Sequence, residues 1–388
     1  MTVLKLGLRL SLYRAARLAV PVDEVRHAER LGYHSVWTAE AYGSDALTPL
    51  AFLAAQTKRI RLGTAVVQLA ARPPATLAMQ AMTIDALAGG DRLILGIGLS
   101  GPQIVEGWYG QPWGRPNARL RDYVTIVRKV LAREEPLRHD GEEIQLPYAG
   151  PGALGQGKPL KSIMHPVAPI PIWLGAGGPR NTVLAAQLCD GWLPMGLGPD
   201  GVPPVVQERA ARGGFDVFTG ASVRITDDVR GALDAMRPLT AMYVGGMGSA
   251  THNYHRDAMA RRGFAAAADR IGELWRAGRK DEAMAAVPDE YLEQTALLGS
   301  PARIRARWEA GFAAPGSTGV IIDAHQPEAL ELMADLAGTR DLPSDDLPSD
   351  DPANDLASDL EGQRACENNL PSRERRPLSP GSPAVEAR

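Results

Sequence analysis

The stretch Ile170–Ala186, IPIWLGAGGPRNTVLAA, decides the fold. An apolar run broken only by Pro171 enters Gly175-Ala176-Gly177-Gly178, and Pro179 then opens a helical pattern. Proline is tolerated in the first turn of a helix, where its missing N–H has no intrahelical partner to lose. Small residues between a buried strand and that turn let a ligand approach the backbone closely. The free N–H groups of the turn, with the helix dipole behind them, favour an anion such as phosphate. A tight strand-to-helix turn without a ligand has the same appearance, but the chain repeats the device. Arg92-Leu93-Ile94-Leu95 runs into Gly96-Ile97-Gly98-Leu99-Ser100-Gly101-Pro102, and Gly191-Trp192-Leu193-Pro194 into Met195-Gly196-Leu197-Gly198. Three strand ends dressed with glycine point to one phosphate-bearing cofactor held by backbone.

Outward from these turns, strands and helices alternate from residue 3 to 338. Strands are expected over residues 3–12, 35–40, 59–68, 92–99, 170–174, 191–195, 217–223 and 319–323. Helices are expected between them, among others over 22–31, 47–57, 75–88, 119–133 and 327–337. Eight strands alternating with helices argue an α/β fold with a parallel sheet, and eight is the number that closes a (β/α)8 TIM barrel. Two inserts break the repeat: a hairpin and loop over 139–161, and a lid or helical excursion over 245–298. In a barrel both are expected over the ligand-binding end. From Thr339 the hydrophobic pattern stops, and Leu342-Pro343-Ser344-Asp345-Asp346 recurs at once as Leu347-Pro348-Ser349-Asp350-Asp351. Residues 339–388 therefore read as a disordered acidic and proline-rich tail, distinct from the barrel of residues 1–338.

A Rossmann fold is the main competitor, because Gly96, Gly98 and Gly101 spell G-x-G-x-x-G after a strand. The motif falls at the fourth strand, however, and Pro102 follows it directly. The acidic residue at the required distance, Asp122, sits inside a helical pattern and not at a strand end.

Composition narrows the function class. Of 388 residues, 45% are hydrophobic and 22% charged, enough to build a sizeable core. A formal net charge of −3 provides no footprint for nucleic acid or anionic lipid. No apolar run approaches the roughly 18 residues of a membrane span, and the N-terminus lacks the uninterrupted core of a signal peptide. Two cysteines, Cys189 and Cys366, suit a reducing cytoplasm and are too few for a disulfide framework. Histidines and acids show no metal-ligand spacing, so no metal is expected.

The stretch LGTAVVQLAARPPATLAMQAMTIDALAGGDRLILGIGLSGPQ (residues 62–103) resembles the central signature of the bacterial luciferase-like monooxygenase superfamily. Trp37–Glu40 (WTAE), Asp190–Trp192 (DGW) and Val287–Glu290 (VPDE) extend the likeness over residues 4 to 338. Within the superfamily the chain is most similar to the branch that uses the deazaflavin coenzyme F420, including methylenetetrahydromethanopterin reductase and a glucose-6-phosphate dehydrogenase. The resemblance implies a hydride-transferring oxidoreductase and a homodimer built through outer barrel helices. It implies a bulge with a non-prolyl cis peptide at Ala65-Val66, behind the deazaflavin ring. It places phosphate and tail contacts at Gly175, Ala176, Gly177, Gly178, Met195 and Gly196, and the ring and ribityl side at Gly98, Leu99, Ser100 and Gly101.

Departures from the sugar-phosphate enzyme bear on the chemistry. Its Asp-His pair is replaced by Glu40-Ala41, and its glutamate after the glycine loop by Gly101-Pro102-Gln103, so glucose-6-phosphate is not the expected substrate. Glu40, at a strand end under an apolar lid, is the expected general acid. Tyr13, Tyr42, Asp45, His325 and His255 are expected nearby, with His27 and His34 on the surface. An FMN-dependent monooxygenase of the same superfamily and a non-catalytic cofactor-binding protein are the alternatives. The expected partner is a small organic molecule.

Overall fold

A computed structural model describes residues 4–198, 200–248 and 253–340. Eight parallel strands close on themselves: β1 (Lys5–Arg9), β2 (Ser35–Thr38), β3 (Arg61–Thr64), β4 (Leu93–Gly98), β5 (Ile172–Ala176), β6 (Gly191–Pro194), β7 (Asp216–Ile225) and β8 (Gly319–Asp323). Closure is explicit, because Asp216 pairs with Gly191 between β7 and β6, and Lys5 with Gly319 between β1 and β8. The Lys5 ammonium and the Thr318 hydroxyl both donate to Asp216 at the foot of that seam, at 2.9 and 2.8 Å. This is the (β/α)8 barrel read from the alternating pattern.

The barrel interior is filled from below by Trp37, Trp173 and Phe218, whose ring centroids lie 5.0–5.9 Å apart. All three are at most 2% exposed. Glycines on neighbouring strands make the room. A β-carbon at Gly63 would fall 2.3 Å from the Trp37 ring, one at Gly191 2.5 Å from Trp173, and one at Gly319 2.4 Å from Phe218. Aromatic pairs in such tilted and edge-on arrangements gain about 0.5–1.5 kcal/mol beyond their burial. The rings fill the lower interior, and the main cavity lies above them, where the strands end.

Several expectations need correction. The hairpin, His139–Asp140 against Gln145–Leu146, does not stand over the ligand end. It lies along the outside of the helix Pro116–Ala132, where Asp122 accepts from the N–H groups of Glu143 and Ile144 at 2.7 and 3.0 Å. No residue of 139–161 lines either of the cavities described below. Asp122 thus anchors a hairpin, which also disposes of it as a ribose ligand. The larger insert starts earlier than expected. It opens with the helix Val229–Ala241 and carries its own apolar core, including Met259, Ile271 and Leu274, before Ala296–Gly299 pairs with the far half of β7.

His34 is not a surface residue. Its ring lies 5.6 Å from Phe218, and burial pushes its pKa down to about 4, helped by Lys5 and Arg61. Thr339 and Arg340, assigned by composition to the tail, pack on the barrel instead. Thr339 is buried and donates to the Leu31 carbonyl at 2.8 Å, and Arg340 pairs with Asp335 at 2.9 Å. The rest of the expected tail lies outside the described residues. No helix among the described residues is long and apolar enough to cross a membrane.

Candidate active site

A cavity of about 440 Å3 lies at the C-terminal ends of the strands, the position where barrels of this type carry their sites. Its floor is the segment after β3, where the Ala65-Val66 peptide is cis without a proline. Val66 fits between two glycines: a β-carbon at Gly98 would meet its Cγ2 at 2.5 Å, and one at Gly175 its Cγ1 at 2.6 Å. Both glycines, expected at the cofactor, line the cavity and also seat the Val66 side chain.

The turn after β5 has a different character. Gly178 caps the helix Pro179–Leu188 at φ −98°, and a β-carbon added there would meet nothing within 4 Å. Gly177 is tighter, with Met195 Cβ at 2.9 Å from such an atom. The Trp192 indole donates to the Ala176 carbonyl at 2.9 Å, and the Arg261 guanidinium to the Gly177 carbonyl at 2.7 Å. Asn181, in the first turn of that helix, lines the cavity, and its Oδ1 is buried without a partner. Across the cavity, Ser100 adopts φ +62°, a conformation that non-glycine residues rarely take. Ala65, Val66, Gly98, Leu99, Ser100, Gly101, Gly175, Ala176, Gly177, Gly178 and Met195 all line this one cavity. Gly196, at φ +101°, does not; it lines a second cavity beside it.

Glu40 lines the cavity as well, and its carboxylate takes three donors. Oε1 accepts from the Gln68 N–H at 2.8 Å; Oε2 accepts from the Ala46 N–H at 3.2 Å and from Arg72 at 2.8 Å. The side chain is 3% exposed and that of Arg72 14%. Three donors converging on one carboxylate suit an acceptor that fastens two segments together. Beside the expected role of general acid, the structure gives Glu40 a second one: it ties the end of β2 to the segment after the cis peptide. No sequence signal distinguishes the two roles, because two of the three donors are backbone N–H groups.

Of the other residues considered, Tyr13 and His255 reach the cavity. Tyr42 is exposed against Trp108, Asp45 caps the helix Leu47–Ala54 at its Leu47 and Thr48 N–H groups, and His325 pairs with Glu24 and Asp323 away from the cavity. Sequence reasoning missed Tyr243, brought in from the insert. Its hydroxyl lies 3.4 Å from that of Tyr13, and its ring centroid 4.5 Å from His255. Burial and the neighbouring Tyr13 hold the Tyr243 hydroxyl well above the usual phenol range, and burial pushes His255 down to about 4. The first is a protonated donor at neutral pH and the second an uncharged imidazole.

The family model for luciferase-like monooxygenases matches residues 4–319, and the chain belongs to that family. A protein of Mycobacterium tuberculosis that bears the provisional name coenzyme F420-dependent oxidoreductase is 44% identical, covering 86% of this chain and 99% of its own. The 5,10-methylenetetrahydromethanopterin reductase of Archaeoglobus fulgidus is 28% identical over 71% of this chain and 81% of its own. In fold, the chain is similar to the coenzyme F420-dependent tetrahydromethanopterin reductase of Methanopyrus kandleri, with a TM-score of 0.65 at 20% identity, covering 85% of this chain and 97% of that one.

Replacing Glu40 tests its role as a clamp. Glu40→Gln leaves Arg72 buried without its carboxylate and sets an amide donor against backbone donors. Breaking a buried pair from one side costs about 3–5 kcal/mol, so chemical denaturation is expected at a clearly lower denaturant midpoint. A midpoint equal to that of the unaltered protein would contradict the clamp.

Proposed function

We propose that the protein is a coenzyme F420-dependent oxidoreductase acting on a small organic substrate. The observation that carries this reading is the 44% identical relative of that name, matched over nearly its whole length, together with one cavity that joins a cis-peptide floor to an open glycine turn. The residues present fit such a cofactor. Gly178 leaves open space at a helix start, and Asn181 Oδ1 is an unpaired polar atom beside it. Gln68 Oε1 and Arg72 Nη1, both buried near the floor, also lack protein partners.

When bound, the reduced deazaflavin supplies a hydride. The chain supplies the rest. Gly175 to Gly178 would hold the phosphate, Asn181 Oδ1 would accept from a cofactor hydroxyl, Ala65-Val66 would back the ring, and Leu99, Ser100 and Gly101 would face the ring and ribityl side. Met247, Tyr254 and His255 from the insert line the cavity. The proton for a reduced C=C or C=N group is held on the Tyr243 hydroxyl, within reach of Tyr13 and beside the uncharged His255. We place the protein in a reducing cytoplasm, in keeping with a buried Cys189 whose thiol burial pushes up to about 12. A homodimer is supported by exposed Met79 and Leu87 on the helix Pro74–Leu87, next to exposed Ile163 and Val167; light scattering reads it directly.

FMN is the alternative cofactor, because a phosphate-holding turn serves both. Titration of the protein with F420 and FMN side by side tests the choice. F420 is expected to bind at least tenfold more tightly, about 1.4 kcal/mol; equal or inverted affinities overturn the assignment.

The proton's place is tested with whichever electron-poor alkene or imine the loaded enzyme reduces. General acids contribute roughly 10²–10⁴-fold, so Tyr243→Phe is expected to lower kcat by at least about 10²-fold while F420 affinity stays within twofold. An unchanged kcat would put the proton on another group.

A further inference from the structure

Arg9 ends β1 inside the barrel, between the main cavity and a second one of about 300 Å3, and lines both. It is half-buried, yet no hydrogen bond or ion pair engages it among the described residues. Room for its guanidinium comes from β7: a β-carbon at Gly220 would fall 2.9 Å from Arg9 Nη2. A guanidinium that lines a cavity without a counter-charge is free to take an anion, and arginine's planar fork matches carboxylate and phosphate oxygens.

The second cavity holds a second guanidinium. Arg262, buried on the insert, spends its Nε on Gln294 at 2.9 Å and its Nη2 on the Tyr291 carbonyl at 3.1 Å, and lies 4.1 Å over the Tyr291 ring. Those contacts fix its direction and leave Nη1 uncommitted. Nη1 would meet a β-carbon at Gly196 at 3.4 Å, so the group rests on a glycine as Arg9 does. Thr219, Ser222 and Thr295 add hydroxyls to the lining, and no aspartate or glutamate lines the cavity. Two arginines, three hydroxyls and no acid make a receptor for an oxyanion. The cavity adjoins the main one along Pro194, Met195 and Thr219, so one small molecule can span both.

We propose that Arg9 and Arg262 form an oxyanion subsite, and that the substrate is a small molecule carrying a carboxylate or a phosphate at the end remote from its reducible group. That the ligand is a substrate, and not the cofactor, rests on the F420 reading above. The subsite itself does not.

Inorganic phosphate and malonate, titrated by calorimetry into the protein with and without F420, are the probes. Both should bind the unaltered protein, the tighter one indicating which oxyanion the substrate carries. Arg9→Met should weaken both at least tenfold, Arg9→Lys should restore part of the loss, and F420 affinity should stay within twofold in each variant. Absence of anion binding to the unaltered protein, or equal binding to Arg9→Met, would overturn the subsite. A tenfold loss of F420 affinity in Arg9→Met would overturn the substrate assignment, because Arg9 would then hold the cofactor. Failure of the unaltered protein to bind F420 would sink the F420 reading alone, with the anion titrations still deciding the subsite. Should Arg9→Met not fold, phosphate protection of Arg9 from phenylglyoxal, followed by mass spectrometry, reads the same contact: protection supports the subsite and unprotected modification overturns it.

Discussion

The contact between three aromatic rings and the glycines beneath them sets the rest of the structure. Trp37, Trp173 and Phe218 meet inside the barrel only because Gly63, Gly191 and Gly319 carry no side chain. Each buried ring removes roughly 150–250 Å2 from water, about 4–6 kcal/mol at 25 cal/mol per Å2. A glycine in a strand costs only about 0.5–1 kcal/mol, so the rings prevail and the glycines are the cheaper side of the arrangement. With the lower interior filled by the rings, the main cavity lies above them, where the strands end. The cis peptide, the Val66 side chain between Gly98 and Gly175, and the Glu40 clamp are then stacked on that floor in order.

The sequence disclosed what local physics determines. Alternating apolar runs and glycine-to-helix turns are written within a dozen residues, and all eight barrel strands and the turn at Gly175–Gly178 were legible. Which end of the barrel an insert occupies depends on where the preceding helix delivers the chain. The hairpin follows the helix Pro116–Ala132 and so returns along its outer side, a placement that no motif in 139–161 announces. Glu40 was legible as a strand-end carboxylate and illegible as a clamp, since its partners include the N–H groups of Ala46 and Gln68. Arg9 could have been found: it shares the strand phase of Gly7, and β1 buries Leu6 and Leu8 on its other face. Tyr243 could not, because the π-helical turn Met242–Gly246 that aims it is set by packing within the insert.

The site divides by origin. Groups contributed by the barrel, the cis peptide and the glycine turn, suit a cofactor shared across a family. Groups contributed by the insert, Tyr243, His255 and Arg262, suit proton delivery and choice of substrate. Glu40 at the end of β2 fastens the floor, and the proton donor proposed here comes from the insert. Insert residues are where this chain is expected to differ from relatives that keep the same barrel.

The central claim is that the glycine turn after β5 receives the phosphate of F420. Gly178→Val tests it more cleanly than a change at Gly177, where Met195 already stands 2.9 Å from the new atom. At position 178 the backbone is extended and the β-carbon enters open space, so the apo-protein should melt as the unaltered protein does. Each lost hydrogen bond to a charged group is worth roughly 1.5–3 kcal/mol, and F420 affinity should fall well over tenfold. A variant that melts normally and binds F420 with unchanged affinity would contradict the account and put the phosphate elsewhere in the barrel.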